Sequence, residues 1–137
     1  MTDAFPVTVF HNPACGTSRN VVAMVEAAGY RPEVVEYLKA GWTADQLAAL
    51  FAEAGLTPRE AMRGKGTPAA ELGLLDPDVS DAAILAAMVE HPVLVNRPIV
   101  RTPKGAAMCR PSEKVFDLLE QTPDRFVKED GEVVSRG

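Results

Sequence analysis

The chain has 137 residues, of which 47% are apolar and 24% charged, a composition that fits one globular domain with a substantial buried core. Its formal net charge of −5 argues against nonspecific attraction to nucleic acid or to an anionic membrane surface, although it leaves room for a local basic pocket. The first residues lack the basic and apolar regions of an export signal, and no apolar run reaches the roughly 18–20 residues that cross a bilayer. We therefore expect a cytoplasmic protein whose two cysteines are free thiols, with neither nucleic acid nor a membrane as a partner.

The first part of the chain carries the pattern of a strand, a helix and a second strand. Residues 6–10 are rich in β-branched and aromatic side chains and stop at a turn signal, Asn12-Pro13. Apolar residues then recur at helical spacing until Gly29, and they are Val21, Met24, Val25 and Ala28. Residues 34–37 predict the second strand. Because such units build parallel sheets, we expect an α/β fold with Cys15 in the loop between the first strand and the first helix.

The middle of the chain, residues 43–91, shows helical patterns and no strand signal. A capping box at residues 43–46 precedes an apolar helical face that ends at Gly55, and a short helix follows. Residues 68–74 predict one or two further turns, and Ser80 begins a last helix that stops before a proline. We predict that this stretch is a helical insertion into the α/β domain.

The last third of the chain returns to β character. Short strands are predicted at three places, residues 93–95, 99–100 and 106–109. A helix is predicted to start at Pro111. After residue 122 the composition is polar, so we predict one domain over residues 1–122 and a loosely held polar tail over residues 123–137.

Cys15 combines a loop position with a predicted helix N-terminus. Backbone N–H groups at such a terminus carry partial positive charge, which lowers the pKa of a thiol and favours the reactive thiolate. The N–H groups that begin at Gly16, together with the hydroxyls of Thr17 and Ser18, could hold a tetrahedral oxyanion. A buried structural cysteine in a tight turn is the alternative. Cys109, near the end of a predicted core strand, is expected to serve packing alone.

Several common cysteine and anion motifs are absent around Cys15. A dithiol redox motif needs a second cysteine where the chain has Ser18, and the loop of cysteine phosphatases needs an arginine where it has Val21. The two histidines and two cysteines lack the spacing of metal ligands, so we expect no metal site. Any anion site must therefore use arginines from distant segments, and the candidates are Arg63, Arg97 and Arg110. Taken singly, each is better explained as a solvated surface charge.

Three segments that contain most of these candidates form a recognisable set. Residues 11–20 read His-Asn-Pro-Ala-Cys-Gly-Thr-Ser-Arg-Asn, residues 91–100 read His-Pro-Val-Leu-Val-Asn-Arg-Pro-Ile-Val, and residues 109–113 read Cys-Arg-Pro-Ser-Glu. In order and separation they resemble the motifs of the glutaredoxin-coupled arsenate reductases, over about residues 6–121. The resemblance implies a thioredoxin-like mixed sheet of about four strands with flanking helices and the helical insertion. It also implies arsenate, glutathione and glutaredoxin as partners, with glutathione as a co-substrate and no bound cofactor.

The resemblance assigns a role to each matching residue. Cys15 matches the nucleophile, and His11 matches a histidine that is thought to keep this cysteine ionised. Pro98 matches a cis-proline that faces the active-site loop, and Ser18 matches the family's own serine. The arginines that hold the arsenic oxyanion match the three candidates above, Arg63, Arg97 and Arg110.

Two other functions stay open. A general glutathione-dependent thiol-disulfide reductase would need Cys15 without needing the three arginines as a set. A redox-sensing transcription regulator of the same superfamily would be expected to use a two-cysteine switch, which Ser18 does not provide.

Glycines at positions 64 and 66 depart from the family pattern and leave the direction of the Arg63 side chain open. The expected function is arsenate reduction by a protein that acts as a monomer.

Overall fold

The computed structural model describes residues 5–135 of the chain. The chain divides into two compact units. Met1–Glu36 and Arg97–Gly137 form the first, which we call the sheet unit, and Tyr37–Asn96 forms the second, which we call the helical unit.

The sheet unit is built on four strands in the order β2-β1-β3-β4. They are β1 (Thr8–His11), β2 (Glu33–Glu36), β3 (Ile99–Thr102) and β4 (Gly105–Met108). Strand β1 is parallel to β2 and antiparallel to β3, and β3 is antiparallel to β4. Helix α1 (Gly16–Ala27) connects β1 to β2, so the predicted strand-helix-strand unit and the predicted mixed sheet of four strands are both confirmed.

The core of the sheet unit lies between the sheet, α1 and a 3-10 helix at Ser112–Leu118, which takes the place of the helix predicted from Pro111. The fully buried residues of α1 include three at the predicted helical spacing, Val21, Met24 and Val25. Val9 of β1 and Val100 of β3 face each other in the sheet and are also fully buried. Burying one such aliphatic side chain contributes roughly 1.5–3 kcal/mol. This packing fixes both β1 and α1, and therefore the loop between them.

The chain after residue 122 forms a hairpin that the sequence did not indicate. Strand β5 (Arg125–Val127) pairs with β6 (Val133–Ser135) in antiparallel register. Phe126 and Val134 pack against the core of the sheet unit. In place of the loosely held tail expected from the polar composition, the described residues of this segment form a docked two-stranded element.

The helical unit confirms the helical character predicted for the middle of the chain. Its helices are α2 (Tyr37–Ala40), α3 (Ala44–Ala54), α4 (Pro58–Ala61) and α5 (Asp81–Glu90). The predicted capping box is present, with the Thr43 hydroxyl accepting the Gln46 N–H at 3.1 Å. Within residues 5–135, no helix has both the length and the apolar character needed to cross a membrane.

The prediction of a strand at residues 93–95 is wrong, because Pro92–Leu94 forms a 3-10 turn instead. Proline has no N–H for a strand ladder, and its fixed φ suits the start of a helical turn. The N–H groups of Leu94 and Val95 donate to carbonyls three residues earlier, at 2.9 and 3.0 Å. Val95 makes only an isolated bridge to Met62. The apolar residues of this segment therefore reflect burial rather than strand pairing.

Candidate active site

Cys15 lies at the point where β1 passes into α1. After β1 the chain turns, and the Asn12 carbonyl accepts the N–H of Cys15 at 3.0 Å. The side-chain oxygen of Asn12 accepts the N–H of Ala14 at 2.9 Å. Cys15 is then the N-cap residue of α1, with extended backbone angles, and its carbonyl accepts the N–H of Arg19 at 3.0 Å. The first N–H groups of α1 have no acceptor within the helix, so Cys15 lies at a site of partial positive charge.

The surroundings of Cys15 favour its thiolate form. Burial raises the pKa of this thiol, but the backbone N–H of Ser18 and the guanidinium groups of Arg97 and Arg110 oppose that effect. Together these donors bring the pKa of Cys15 below that of an ordinary cysteine. Because the thiolate is the nucleophilic form of cysteine, these surroundings suit the half-buried Cys15 to act as a nucleophile.

Arg97 and Arg110 reach Cys15 from the ends of two paired strands. Arg97 lies two residues before β3 and Arg110 two residues after β4, so the antiparallel pairing of Ile99 with Met108 brings the arginines together. Nη1 of Arg110 lies 3.7 Å from the Cys15 sulfur and donates to the carbonyl of Arg97 at 2.9 Å. The Arg97–Pro98 peptide is cis, as the resemblance implied, and the Arg110–Pro111 peptide is cis as well.

His11 contacts the hydroxyl of Ser18 instead of pairing with the thiol. Its Nδ1 lies 2.9 Å from the Ser18 oxygen, which also accepts the N–H of Asn12 at 3.0 Å. Burial lowers the pKa of His11, against the opposing effect of Glu36. A lowered pKa favours the neutral imidazole at neutral pH, where Nδ1 can accept the Ser18 hydroxyl hydrogen. The groups that lower the pKa of Cys15 do not include His11, and its proposed role in ionising Cys15 stays a prediction.

The other residues of the predicted oxyanion site lie in the first turn of α1. Gly16 and Thr17 are half-buried beside Cys15, and their N–H groups are among those that lack an acceptor within the helix. Ser18 is fully buried with its hydroxyl turned to His11, so the group that it presents to Cys15 is its backbone N–H. The first turn can therefore offer backbone donors and the Thr17 hydroxyl to an anion next to the thiolate.

Arg63 belongs to the helical unit, two residues after the end of α4. Its backbone N–H donates to the Leu94 carbonyl at 2.7 Å, which ties it to the 3-10 turn that precedes Arg97 in the chain. Its side chain donates to the Lys65 carbonyl at 3.1 Å and to the Asn96 side-chain oxygen at 3.3 Å. Of the three candidate arginines, Arg97 and Arg110 are brought to Cys15 within the sheet unit, whereas the contact of Arg63 with an oxyanion stays a prediction.

Sequence reasoning missed a cluster of charged residues next to the site. Arg19 donates to the Pro13 carbonyl at 2.8 Å and to both carboxylate oxygens of Glu129, at 2.8 and 3.0 Å. No sequence signal links these residues, because Arg19 and Glu129 are separated by 110 positions.

Cys109 is fully buried, and burial raises its pKa to about 12, as expected for a packing cysteine. Among residues 5–135 no group of three or more His, Cys, Asp or Glu side chains is arranged to hold a metal ion.

Comparisons with known proteins agree on one family. The model of the ArsC family matches residues 10–118. The arsenate reductase ArsI2 of Synechocystis sp. is 61% identical over 129 residues, which cover 93% of this chain and 92% of the relative. The arsenate reductases of Rhizobium meliloti and of Escherichia coli K12 are 58% and 43% identical over 129 residues, with the same coverage of both chains.

Solved structures give the same answer for the fold. The arsenate reductase from Vibrio cholerae superimposes with a TM-score of 0.80 at 40% identity, covering 84% of this chain and 98% of that one. A second structure, described as a putative arsenate reductase from Yersinia pestis, gives a TM-score of 0.76 at 38% identity, covering 81% and 98%. The thioredoxin-like fold predicted through the resemblance is confirmed. Since the family model matches most of the chain and the relatives match over nearly their whole length, this chain belongs to the ArsC family.

Proposed function

We propose that this protein reduces arsenate to arsenite through a covalent Cys15–arsenate intermediate, with glutathione and glutaredoxin as electron donors. The observation that carries the proposal is the placement of one low-pKa thiol, without a second cysteine beside it, against two arginines and a helix N-terminus. An oxyanion can bind at such a place within reach of a nucleophile. The extensive identity to proteins named arsenate reductases supports the choice of arsenate among oxyanions.

Binding comes first in the proposed reaction. The arsenate oxygens accept hydrogen bonds from the first turn of α1 and from Arg97 and Arg110, whose planar guanidinium groups suit two-point contacts with an oxyanion. Arg63 is proposed as a third arginine on the substrate. These contacts also stabilise negative charge on the oxygens as the thiolate attacks.

The next step makes the covalent intermediate. The Cys15 thiolate attacks arsenic, an S–As bond forms, and one arsenic–oxygen bond breaks so that hydroxide leaves, with a proton, as water. Arsenic remains in the +5 state through this step, and no electron has yet been supplied.

Reduction requires a second thiol. The sulfur of glutathione attacks the Cys15 sulfur, an S–S bond forms, and the S–As bond breaks with its electron pair staying on arsenic, which becomes arsenic(III). Arsenite leaves, and Cys15 is left as a mixed disulfide with glutathione. Glutaredoxin then reduces this disulfide and restores the thiolate. The proposal places the reaction in the cytoplasm, where thiols are kept reduced.

The test is arsenate-dependent oxidation of NADPH in the presence of glutathione, glutaredoxin and glutathione reductase. We expect turnover in the wild type, no turnover in Cys15→Ser, and near-normal turnover in Cys109→Ala, in which the buried packing thiol is removed. Replacing glutathione and glutaredoxin by thioredoxin and its reductase should not support turnover. Turnover in Cys15→Ser, or turnover that needs thioredoxin alone, would refute the mechanism.

A general glutathione-dependent thiol-disulfide reductase is a second candidate, because a low-pKa Cys15 suits disulfide exchange as well. Arg97→Met separates the two functions. For an arsenate reductase this variant should lose arsenate turnover, on the order of tenfold or more by analogy with the removal of one oxyanion donor, and the loss should exceed any loss in disulfide exchange. Equal effects on both reactions would favour the general reductase.

A further inference from the structure

Two adjacent residues of the C-terminal hairpin hold two separate segments of the sheet unit. Glu129 makes a two-point pair with Arg19, whose Nε and Nη2 donate to the two carboxylate oxygens at 2.8 and 3.0 Å. The Lys128 ammonium lies 2.7 Å from a carboxylate oxygen of Glu113. Arg19 lies four residues after Cys15, in the first turn of α1, and Glu113 lies three residues after Arg110. The turn of the hairpin is thus attached on one side to the thiol loop and on the other to the segment that follows Arg110.

We propose that Lys128 and Glu129 are positioning residues that hold the Cys15 loop and the Arg110 segment in register, so that the guanidinium of Arg110 stays against the thiolate. The kinetic consequence of this proposal rests on the proposed function, whereas its effect on the Cys15 thiolate does not. Neither hairpin residue needs to contact a substrate for this role.

On the side of the thiol loop, the contacts converge on Arg19. Its Nη1 donates to the Pro13 carbonyl at 2.8 Å, so a single guanidinium connects the turn before Cys15 to the helix after it. Glu129 fixes this guanidinium, and the Glu129 N–H donates in addition to the side-chain oxygen of Asn20 at 3.0 Å. The two side chains are 44% and 48% exposed, so the pair contributes little to global stability. What it determines is the local geometry of residues 13–19.

On the side of Arg110, the anchor is a buried cation. The Lys128 side chain is only 8% exposed and lies between the carboxylates of Glu113 and Glu132, at 2.7 and 3.1 Å. Taking an ammonium group out of water is costly unless it keeps its partners, so loss of these carboxylates would be unfavourable. Burial lowers the pKa of Lys128, but the two carboxylates outweigh burial and raise it. The Lys128 N–H also donates to the Glu132 carbonyl at 2.8 Å, which makes the ion pairs part of the hairpin turn.

The contact between Arg110 and Cys15 is sensitive to small displacements of either segment. Nη1 of Arg110 lies 3.7 Å from the Cys15 sulfur, and it also donates a hydrogen bond to the Arg97 carbonyl. A displacement of reacting groups by about 1 Å can reduce the rate on the order of a hundredfold. A hairpin that fixes both segments through neighbouring residues limits such displacement.

The first test is a pH titration of the Cys15 thiolate in the full chain without substrate, comparing Arg19→Lys and Glu129→Ala with the wild type. Arg19→Lys keeps the positive charge and loses the fork, so charge alone predicts no change, whereas loss of position predicts a rise in the Cys15 pKa. Glu129→Ala leaves the Arg19 cation unneutralised near the thiolate, so charge alone predicts a fall in the pKa, whereas loss of position again predicts a rise. The controls are Arg125→Lys and Asp124→Asn, two exposed residues at the start of the same hairpin, and neither should change the titration.

We expect both variants to raise the Cys15 pKa and to lower kcat/KM for arsenate on the order of tenfold, with the double variant no worse than either single one because all three lose the same contact. An unchanged titration in Arg19→Lys, or a lowered pKa in Glu129→Ala, would overturn the proposal. Lys128→Met tests the other anchor and should also raise the pKa; if it fails to fold, the two exposed-pair variants still decide the question. Absence of arsenate turnover in the wild type would count against the proposed function alone, because the titration needs no substrate.

Discussion

Replacing Arg110 by methionine should destabilise the Cys15 thiolate by an amount that the structure allows us to estimate. Two unit charges 3.7 Å apart attract each other by about 1 kcal/mol at the dielectric constant of water and by about 4 kcal/mol at an effective value of 20. Cys15 is half-buried, so solvent screening places the loss nearer the lower limit, at about 1–2 kcal/mol. That loss corresponds to a roughly five- to thirtyfold smaller ratio of thiolate to thiol at a given pH.

The ultraviolet absorbance of the thiolate, followed against pH, measures this ratio directly. Burial raises the pKa of Cys109 to about 12, so a titration that stops well below that value reports Cys15 rather than Cys109. Arg110→Lys should fall between the wild type and Arg110→Met, because it keeps the charge and loses the planar fork. Arg125→Met removes the same charge from an exposed position of β5 and serves as the control. A titration of Arg110→Met that coincides with the wild type would refute the assignment of Arg110 to the thiolate.

Three further variants test the loop, its charge and the helical unit. Ser18→Ala leaves the imidazole of His11 and the N–H of Asn12 buried without their shared partner, and it should cost about 1–3 kcal/mol in urea unfolding. Because the pKa of Cys15 is lower in the folded protein than in the unfolded chain, its ionisation stabilises the fold. This contribution is complete above the pKa of the unfolded thiol, and it is lost as the pH falls through the pKa of the folded thiol. Cys15→Ser should therefore abolish a rise of unfolding free energy with pH across that window, and an identical pH profile in the variant would show that the thiol is not shifted. Tyr37→Phe removes a buried hydrogen bond of 2.9 Å to a backbone carbonyl and should lower the unfolding free energy by about 1 kcal/mol, without altering the Cys15 titration.

The parts of the fold that the sequence predicts correctly depend on local signals. The apolar spacing of α1, the capping box at Thr43 and the β-branched run of β1 each involve residues a few positions apart, and the structure has all three. The strand predicted at residues 93–95 failed because an apolar run of three residues signals burial without deciding between a strand and a turn. There the 3-10 turn begins at Pro92, whose fixed φ suits the start of a helical turn.

In the candidate site, too, the features set by neighbouring residues can be predicted from the sequence and those set by distant segments cannot. The position of Cys15 at a helix N-terminus can be predicted from its neighbours, but the approach of Arg110 requires the pairing of β3 with β4. The hairpin could not be predicted, because no local pattern indicates the ion pairs that attach it, of Glu129 with Arg19 and of Lys128 with Glu113. Its polar sequence includes the charged residues that attach it to the sheet unit, and Phe126 and Val134 add apolar contacts with the core.

The positive charge at the site bears on how the Cys15 thiolate and an anionic substrate could come together in the proposed reaction. A resting thiolate and an incoming arsenate are both anions, so their approach requires positive charge that does not vary with pH. Burial lowers the pKa of His11, so its charge depends on pH, whereas guanidinium groups in proteins stay protonated throughout the physiological range. Arg97 and Arg110 lie at the Cys15 thiol and favour its ionisation, and in the proposed mechanism their charge is also available to the arsenate oxygens. In the proposed mechanism, the thiolate charge is neutralised when Cys15 bonds to arsenic, so the same arginines would then stabilise the oxyanion alone until glutathione reduces it.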